Sequence, residues 1–418
     1  MIDFSADGWE ANLETPFVGP ERLEKASIDK EVPGMNRNEL ELMTRLIVAF
    51  FEARKHKQKT FDEAAFEVNL VPNLFNLYQS IIDRTYKPSR SMAFVTFKPV
   101  TREIFAAPFR DRVVHHYLFD NCAEWWNRRL NYDSYSCRKN KGTLMAVERL
   151  VKNERRITKN YTEEAWIFKF DIQSFFMSLP RKRLYETVCW GLARQFPKES
   201  YVGKTCDFLW YQIIMDDPTR KARKRGNICN WNPRVLPSNK SLFNQPKGQG
   251  IVIGNLTSQL LSNVYLDFLD RYITIDLGYK YYGRYVDDFY ILVLEKDIPK
   301  LKEDSKKIKL FLRTLGLTLH PNKHYAQSIY KGVNFIGANI RPHCVMPSLR
   351  VVKNFRNATR LYMMDLVDKE VIISFLGLMK HRDSYKIIQK TFNKVGWEYT
   401  DTVDNLVESR RKFGPGRF

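Results

Sequence analysis

Apolar residues recur along this chain with two different periods, and the switches between them divide it into elements. Asn36 followed by Glu39 has the spacing of a helix N-cap and its capping-box partner. Leu40, Met43, Leu46, Ile47 and Phe50 then fall at helical intervals. A second helical stretch runs from Pro72 to Asp83, with Leu74, Leu77, Tyr78, Ile81 and Ile82 on its apolar side, and Pro88 closes it. Ala93 to Phe105 reads as two short strands around Pro99, and Arg112 to Trp126 returns to helix. Trp166 to Asp171 alternates as a strand does, with Trp166, Phe168 and Phe170 on one face and Ile167, Lys169 and Asp171 on the other. The helical pattern resumes after Pro180. It returns again from Leu256, with Leu260, Leu261, Val264 and Phe268 on one face. Residues 216–250 form a polar insertion rich in Pro, Gly and Asn. Residues 1 to about 35 show no period and read as an irregular arm. The last 70 or so residues are mainly helical and basic, ending in Arg410-Arg411-Lys412 and a Gly/Pro tail.

Composition adds a partner to this picture. Among 418 residues, 68 Lys and Arg face 47 Asp and Glu, a formal charge of +21. Such an excess points to a polyanion, and nucleic acid leads because each neutralised phosphate releases a counterion. An anionic membrane is the rival. No apolar run approaches the roughly 18 residues of a spanning helix, and no signal-peptide pattern opens the chain. The expectation is therefore a soluble cytoplasmic protein with no membrane partner. Six cysteines without a C-x-x-C pair give neither a zinc spacing nor a disulfide framework. His115-His116, on a predicted helix, reads as ordinary packing or surface residues.

The candidate chemistry lies in Tyr285-Val286-Asp287-Asp288, inside the aromatic and β-branched run from Tyr281 to Val293. The run reads as two strands with a tight turn at their tip. Two carboxylates there are costly unless something positive neutralises them, and hard divalent cations take carboxylate oxygens. Taken alone, the pair is equally a solvated turn. Two Mg²⁺ ions roughly 3.5–4 Å apart need two or three carboxylates from different strands, and Asp171 at the end of its strand completes such a set. Asp216-Asp217, followed by Pro218 and the polar insertion, reads as a solvated turn.

In these blocks the chain resembles the reverse transcriptases, over roughly residues 40 to 385. Asp171 with Phe175-Phe176 and Pro180 resembles the block carrying the first metal-binding Asp, and Tyr285-Val286-Asp287-Asp288 the block carrying the other two. Leu315 to Lys323 resembles the block whose Lys faces the triphosphate. Gly332-Val333-Asn334-Phe335-Ile336-Gly337 resembles the primer-grip hairpin. Retroviral and group II intron enzymes usually carry Gln-Gly followed by Ser-Pro in the block before the Asp pair. This chain has Ile253-Gly254-Asn255-Leu256-Thr257-Ser258-Gln259 instead, with Ile for the Gln and Gln259 for the Pro. That departure, and the stretches Arg102–His116 and Ser134–Thr143, resemble the enzymes of diversity-generating retroelements.

The resemblance implies an α+β right-hand polymerase with fingers, a palm carrying a small antiparallel sheet, and a helical thumb. Its parts would be an arm (1–35), fingers (36–160), palm with the first Asp (161–180), a connection with the basic insertion (181–250), palm (251–348), and thumb with tail (349–418). It implies two Mg²⁺ ions, or Mn²⁺ as substitute, on Asp171, Asp287 and Asp288, with Lys323 near the leaving group. Lys98, Arg102, Phe176, Ile253, Gly254, Ser258 and Gln259 would face the incoming dNTP, Phe176 as the gate that excludes a 2′-OH. Arg220, Lys221, Arg223, Lys224 and Arg225 would contact nucleic-acid backbone. Enzymes of this group copy an RNA repeat with errors at adenines, using a dedicated template RNA, a cDNA or primer strand and a small basic accessory protein, in bacteria or phages. An antiphage or abortive-infection reverse transcriptase, and a non-catalytic RNA-binding protein on a polymerase scaffold, are the alternative expectations.

Overall fold

Asn36 does cap a helix. In the computed structural model its side chain accepts from the Glu39 amide at 3.0 Å, and the Glu39 carboxylate accepts from the Asn36 amide at 3.0 Å. The structure describes residues 35–55, 60–97 and 100–396. The expected arm before Met35, Lys98, and the tail Arg410-Arg411-Lys412 lie outside the described residues. The capped helix, α1 (Arg37–Arg54), buries Leu42, Leu46, Ala49, Phe50 and Ala53. This line is rotated from the expected one, and Leu40, Met43 and Ile47 are only half-buried. Helices α2 (Phe61–Val68) and α3 (Leu70–Ile82) follow, then the antiparallel hairpin of β1 (Met92–Thr96) and β2 (Arg102–Ala106), and α4 (Phe109–Arg129). Aromatic rings of Phe50, Phe66 and Phe109 pack α1, α2 and α4 together.

After α5 (Thr143–Ile157) comes β3 (Ala165–Asp171), then the single-turn α6 (Phe175–Ser178), α7 (Arg181–Gln195) and α8 (Tyr201–Met215). Within the insertion Arg223–Lys224 forms β4, which pairs parallel with β1 and adds a third strand to that hairpin. Helix α9 (Leu256–Arg271) runs on into a π-helical turn (Tyr272–Asp276). Leu260, Leu261 and Val264 are buried on it as expected, whereas Phe268 is exposed. Ser262, Asn263, Tyr265, Leu266 and Asp267 are buried as well, so α9 is enclosed on more than one face.

The central sheet is antiparallel throughout, in the order β5 (Tyr282–Tyr285), β6 (Asp288–Leu294), β3, β7 (Tyr325–Ser328). Phe168 and Phe170 join the large core with Phe289 and Ile291, the rings of Phe170 and Phe289 stacking at 4.9 Å. Ala165 and Ile167 join a second core with Tyr290, Phe335 and Ile340. Burial on both faces explains why β3 and β6 are nearly continuous apolar runs. Helix α10 (Ile298–Thr314) lies between β6 and β7 in sequence. Strands β8 (Val333–Phe335), β9 (Ala338–Arg341) and β10 (Cys344–Pro347) make a small antiparallel sheet, with Ile336 and Gly337 turning at positive φ between the first two. Helices α11 (Leu349–Met363), α12 (Lys369–Met379) and α13 (Tyr385–Asn393) enclose a separate core of Phe355, Ile372, Met379, Ile388 and Phe392.

Candidate active site

The β5–β6 hairpin closes on Val286 and Asp287 alone, since Tyr285 pairs with Asp288. One strand over, Asp288 is in register with Asp171. The Asp287 carbonyl accepts from the Ile172 amide at 3.0 Å, and the Asp171 carbonyl from the His320 amide at 2.7 Å. Three non-neighbouring segments are thus tied together around the carboxylates. Val286 holds φ +58°, a region that β-branched residues avoid. Such strain is of order 1–3 kcal/mol and persists only where surroundings over-determine it.

Electrostatics mark the site as short of positive charge. Burial pushes the Asp287 carboxyl up to about 6, the Asp171 and Asp288 charges push the same way, and Arg102 opposes them. Asp288 is also raised, first by burial, and is held back chiefly by Lys169, whose Nζ lies 2.9 Å from Asp288 Oδ2. Lys169 also donates to the Asn334 carbonyl at 3.0 Å. Lys323 Nζ stands 3.4 Å from both Asp171 oxygens. Three hard carboxylate donors, with Asp287 and Asp288 raised in proton affinity, suit a divalent cation. The expected convergence is only partly formed, however. Among the described residues no three His, Cys, Asp or Glu side chains are already gathered as a ready-made metal site. Lys169 and Lys323 instead each neutralise one of the acids.

The expected nucleotide-side residues divide into two groups. Arg102, exposed on β2, has its charge felt at Asp287. Phe176 is half-buried on α6, while its neighbour Phe175 is fully buried with ring centroids 5.3 Å apart. The Phe176 carbonyl accepts from Ile251 at 2.8 Å and the Ile253 carbonyl from Phe105 at 2.9 Å, so the 250–255 loop bridges α6 and β2. Gly254 has φ +126°, and a Cβ there would come within 2.8 Å of the Phe105 carbonyl. Only glycine lets the loop approach β2 so closely. Ile253 is half-buried against the small core of Ala93, Phe105, Met177 and Leu242. Gln259 is exposed, but Ser258 is buried. It lines a partly open pocket of about 50 Å³ with Asp111, His115, Arg181 and Asp216, so the structure does not bring it to the carboxylates. His115 is packed as expected: Thr257 Oγ1 lies 2.8 Å from its Nδ1, and burial pushes its pKa down to about 3. Lys98 lies outside the described residues.

The basic cluster is partly structural. Lys221 Nζ is 3.2 Å from Asp216 Oδ1 and donates to the Pro88 carbonyl. Arg220 lies 3.5 Å from Asp217, and Lys224 sits over the rings of Phe243 and Trp231 at 4.3 and 5.1 Å. Arg223 and Arg225 are exposed. Asp216 and Asp217 correct the expected solvated turn. Both are half-buried, Asp217 caps the Pro218–Arg220 turn, and the buried Arg181 donates to the Asp216 carbonyl at 2.7 Å.

Sequence reading missed Glu103, Lys169 and the Arg284–Asp270 pair. Glu103 is fully buried and accepts from Trp231 Nε1, Ser241 Oγ and the Leu242 amide at 2.8, 2.8 and 2.6 Å, which pins the insertion to β2. Lys169 carried a usable signal, because strand alternation places it on the face of Asp171.

A family model described as reverse transcriptase (RNA-dependent DNA polymerase) matches residues 102–340, more than half of the chain. The chain belongs to that family, and its mixed helices and small antiparallel sheets are the fold of an RNA-directed DNA polymerase domain. Solved structures with a similar outline include telomerase from Candida tropicalis in complex with the TWJ fragment of telomeric RNA, at 13% identity and TM-score 0.44, covering 77% of this chain and 58% of that one. Telomerase from Candida albicans with the same kind of fragment gives 11% and 0.45, covering 78% and 56%. Apo telomerase from Candida tropicalis gives 12% and 0.44, covering 73% and 62%. The chain therefore spans roughly three-fifths of these telomerase chains. No curated protein sequence matches it.

Proposed function

We propose that this polymerase domain copies a dedicated RNA template into DNA with relaxed selection at template adenines, as in mutagenic retrohoming. The observation that carries the polymerase reading is the register of Asp171 with Asp288 beside an Asp287 whose affinity for positive charge is raised. Asp171, Asp287 and Asp288 would hold two Mg²⁺ ions, or Mn²⁺, which when bound neutralise the attacking and leaving oxygens of phosphoryl transfer. Lys323 stands beside Asp171, where a cation can neutralise or protonate the leaving pyrophosphate. Arg102 binds the triphosphate by charge-assisted hydrogen bonds, with Lys98 as its companion in the same expectation. Phe176 presses against the sugar, with Gly254 and Gln259 bordering the nucleotide.

The error-prone part of the reading rests on Ile253. An amide at that position can restrain the incoming nucleotide by a directional hydrogen bond, and Ile cannot. Its carbonyl is bonded to β2, the strand of Arg102, which supports a place beside the nascent pair. The parallel pairing of β4 with β1 supports assigning the 216–250 insertion to the fingers with residues 36–160, where Arg223 and Arg225 meet template backbone. The sheet of Asp171 and the 251–348 segment form the palm, and residues from 349 the thumb. Template RNA, primer or cDNA, dNTPs and a small basic accessory protein are the partners of this reading. The test is primer extension on an adenine-containing RNA followed by sequencing of the cDNA. DNA synthesis with errors concentrated opposite adenine supports the reading. Accurate synthesis removes the retroelement assignment, and no synthesis by a folded, metal-loaded chain with template and accessory protein removes the polymerase assignment.

A further inference from the structure

The strained residue next to the catalytic pair is held by two buried side chains, Arg284 two residues before it and Ser136 from a distant part of the sequence. Val286 N–H donates to Ser136 Oγ at 3.1 Å, and Arg284 donates to the Val286 carbonyl at 3.0 Å. Ser136 and Arg284 are both wholly buried. Behind them, Ser136 Oγ donates to Asn263 Oδ1 at 3.3 Å, and Asn263 Nδ2 returns a bond to the Ser136 carbonyl at 2.8 Å. Arg284 grips both Asp270 oxygens at 2.7 Å and donates to Ser134 Oγ at 3.0 Å. The 133–136 segment lies along β5 through Arg284 N–H to the Asp133 carbonyl at 2.8 Å and Tyr135 N–H to the Arg284 carbonyl at 2.9 Å. Both backbone groups of Val286 are therefore occupied by side chains anchored in α9 and the 133–136 segment. A buried amide left without its acceptor is unfavourable, so Ser136 rewards the left-handed conformation that Val286 would otherwise leave.

We propose that Ser136 is a positioning residue for Asp287: by holding Val286 in its left-handed turn, it sets where the Asp287 carboxylate stands relative to Asp171. This rests on the reading of Asp287 as a metal ligand. Ser136 touches no reacting atom and acts through one peptide unit. The same geometry gives a specific signature. Glycine adopts φ +58° without steric cost, so a chain with glycine at position 286 no longer depends on the Ser136 hydroxyl.

The test uses the full chain and measures Mn²⁺ affinity by water-proton relaxation without nucleotide, together with melting temperature and the Mg²⁺ concentration for half-maximal primer extension. Ser136→Ala is expected to weaken Mn²⁺ binding about tenfold, equivalent to about 1.4 kcal/mol, and to raise the Mg²⁺ requirement in step, with the KM for dNTP at saturating Mg²⁺ unchanged. Adding Val286→Gly to Ser136→Ala is expected to restore most of the Mn²⁺ affinity. Wild-type affinity in folded Ser136→Ala, or no restoration by Val286→Gly, overturns the proposal. If Ser136→Ala does not fold, Ser136→Cys decides, since its weaker acceptor is expected to give weaker Mn²⁺ binding and wild-type binding overturns the proposal. Asp287→Asn separates the two readings. Unchanged Mn²⁺ binding there defeats the metal assignment itself, whereas impaired binding in Asp287→Asn beside normal binding in Ser136→Ala defeats only the positioning.

Discussion

Lys169 and Asp288 form an ion pair across adjacent strands, with Lys169 Nζ 2.9 Å from Asp288 Oδ2. The lysine stands two residues before Asp171 on β3, so strand alternation sets both on one face, and the β3–β6 register then delivers Asp288 to them. Lys169 also bonds the Asn334 carbonyl, so one ammonium links the acids to the β8–β9 hairpin. With Asp288 partnered by Lys169 and Asp171 by Lys323, the unneutralised charge rests on Asp287.

Lys169→Met is therefore expected to lower the melting temperature in metal-free, low-salt buffer and to enlarge the stabilisation that Mg²⁺ provides. Thermal unfolding with and without Mg²⁺ measures both. An Mg²⁺-induced shift no larger than that of the wild type would show that Lys169 does not offset the charge of the acids.

Asp287→Asn keeps the shape of the side chain and removes its charge. Primer extension is expected to fall by at least two orders of magnitude, while circular dichroism shows an intact fold. Extension at the wild-type rate would exclude Asp287 from catalysis.

The adjacent rings Phe175 and Phe176 should behave differently. Phe175 is fully buried, so Phe175→Ala is expected to destabilise by about 3–5 kcal/mol, the cost of a large core cavity, read by denaturant unfolding. Phe176 is half-buried, and Phe176→Ala is expected to relax discrimination against rNTPs with a smaller loss of stability. Competition between dNTP and rNTP in single-nucleotide extension decides, and relaxed sugar choice in the Phe175 variant alone would move the gate by one residue.

A pH effect is expected at a buried carboxyl outside the site. Glu154 on α5 is fully buried, neither carboxylate oxygen has a hydrogen-bond partner, and burial pushes its pKa up to about 8. The folded state thus holds a proton that the unfolded chain releases near the ordinary carboxylate value of about 4.3. Between these two values the native state binds more protons than the unfolded state, so stability falls as pH rises from about 4 to about 8. Glu154→Gln should remove this slope and raise the melting temperature more at pH 8 than at pH 5. An equal change at both pH values would show that Glu154 ionises normally.

Ile253→Gln tests base selection. The variant is expected to make fewer errors opposite template adenine, since a tenfold change in selectivity needs only about 1.4 kcal/mol, close to one net hydrogen bond. An unchanged error spectrum with polymerisation intact would mean that Ile253 serves the Phe105–Leu242 core and nothing more.

What the sequence revealed follows the reach of each signal. The Asp171 strand and the Asp287 hairpin were legible because alternation and a two-residue turn are local patterns. The α4 helix and the capped start of α1 were legible for the same reason. The face of α1 was misjudged by about one residue, because its environment is set by α4 and α3 rather than by its own period. Glu103 was not legible, since its donors lie 128 to 139 residues away. Arg284 and Asp270 belong to a strand and a helix whose contact depends on the whole tertiary arrangement. The parallel pairing of β4 was hidden because a two-residue strand has no period. Asp216 and Asp217 look solvated in a polar stretch until Arg181 and Lys221 are brought to them by the fold.

The alternation of β2 gives Arg102 and Glu103 opposite duties on one short strand. Arg102 is exposed and its charge acts on Asp287, whereas Glu103 is buried and locked to the insertion by three hydrogen bonds. β4 clamps the same hairpin from its other edge. The insertion and Arg102 are therefore tied to one small hairpin through both of its strands. In the proposed reading, a nucleic-acid backbone held at Arg223 or Arg225 is joined through β4, β1 and β2 to the strand that carries Arg102, so template contact outside and nucleotide contact inside share one small sheet.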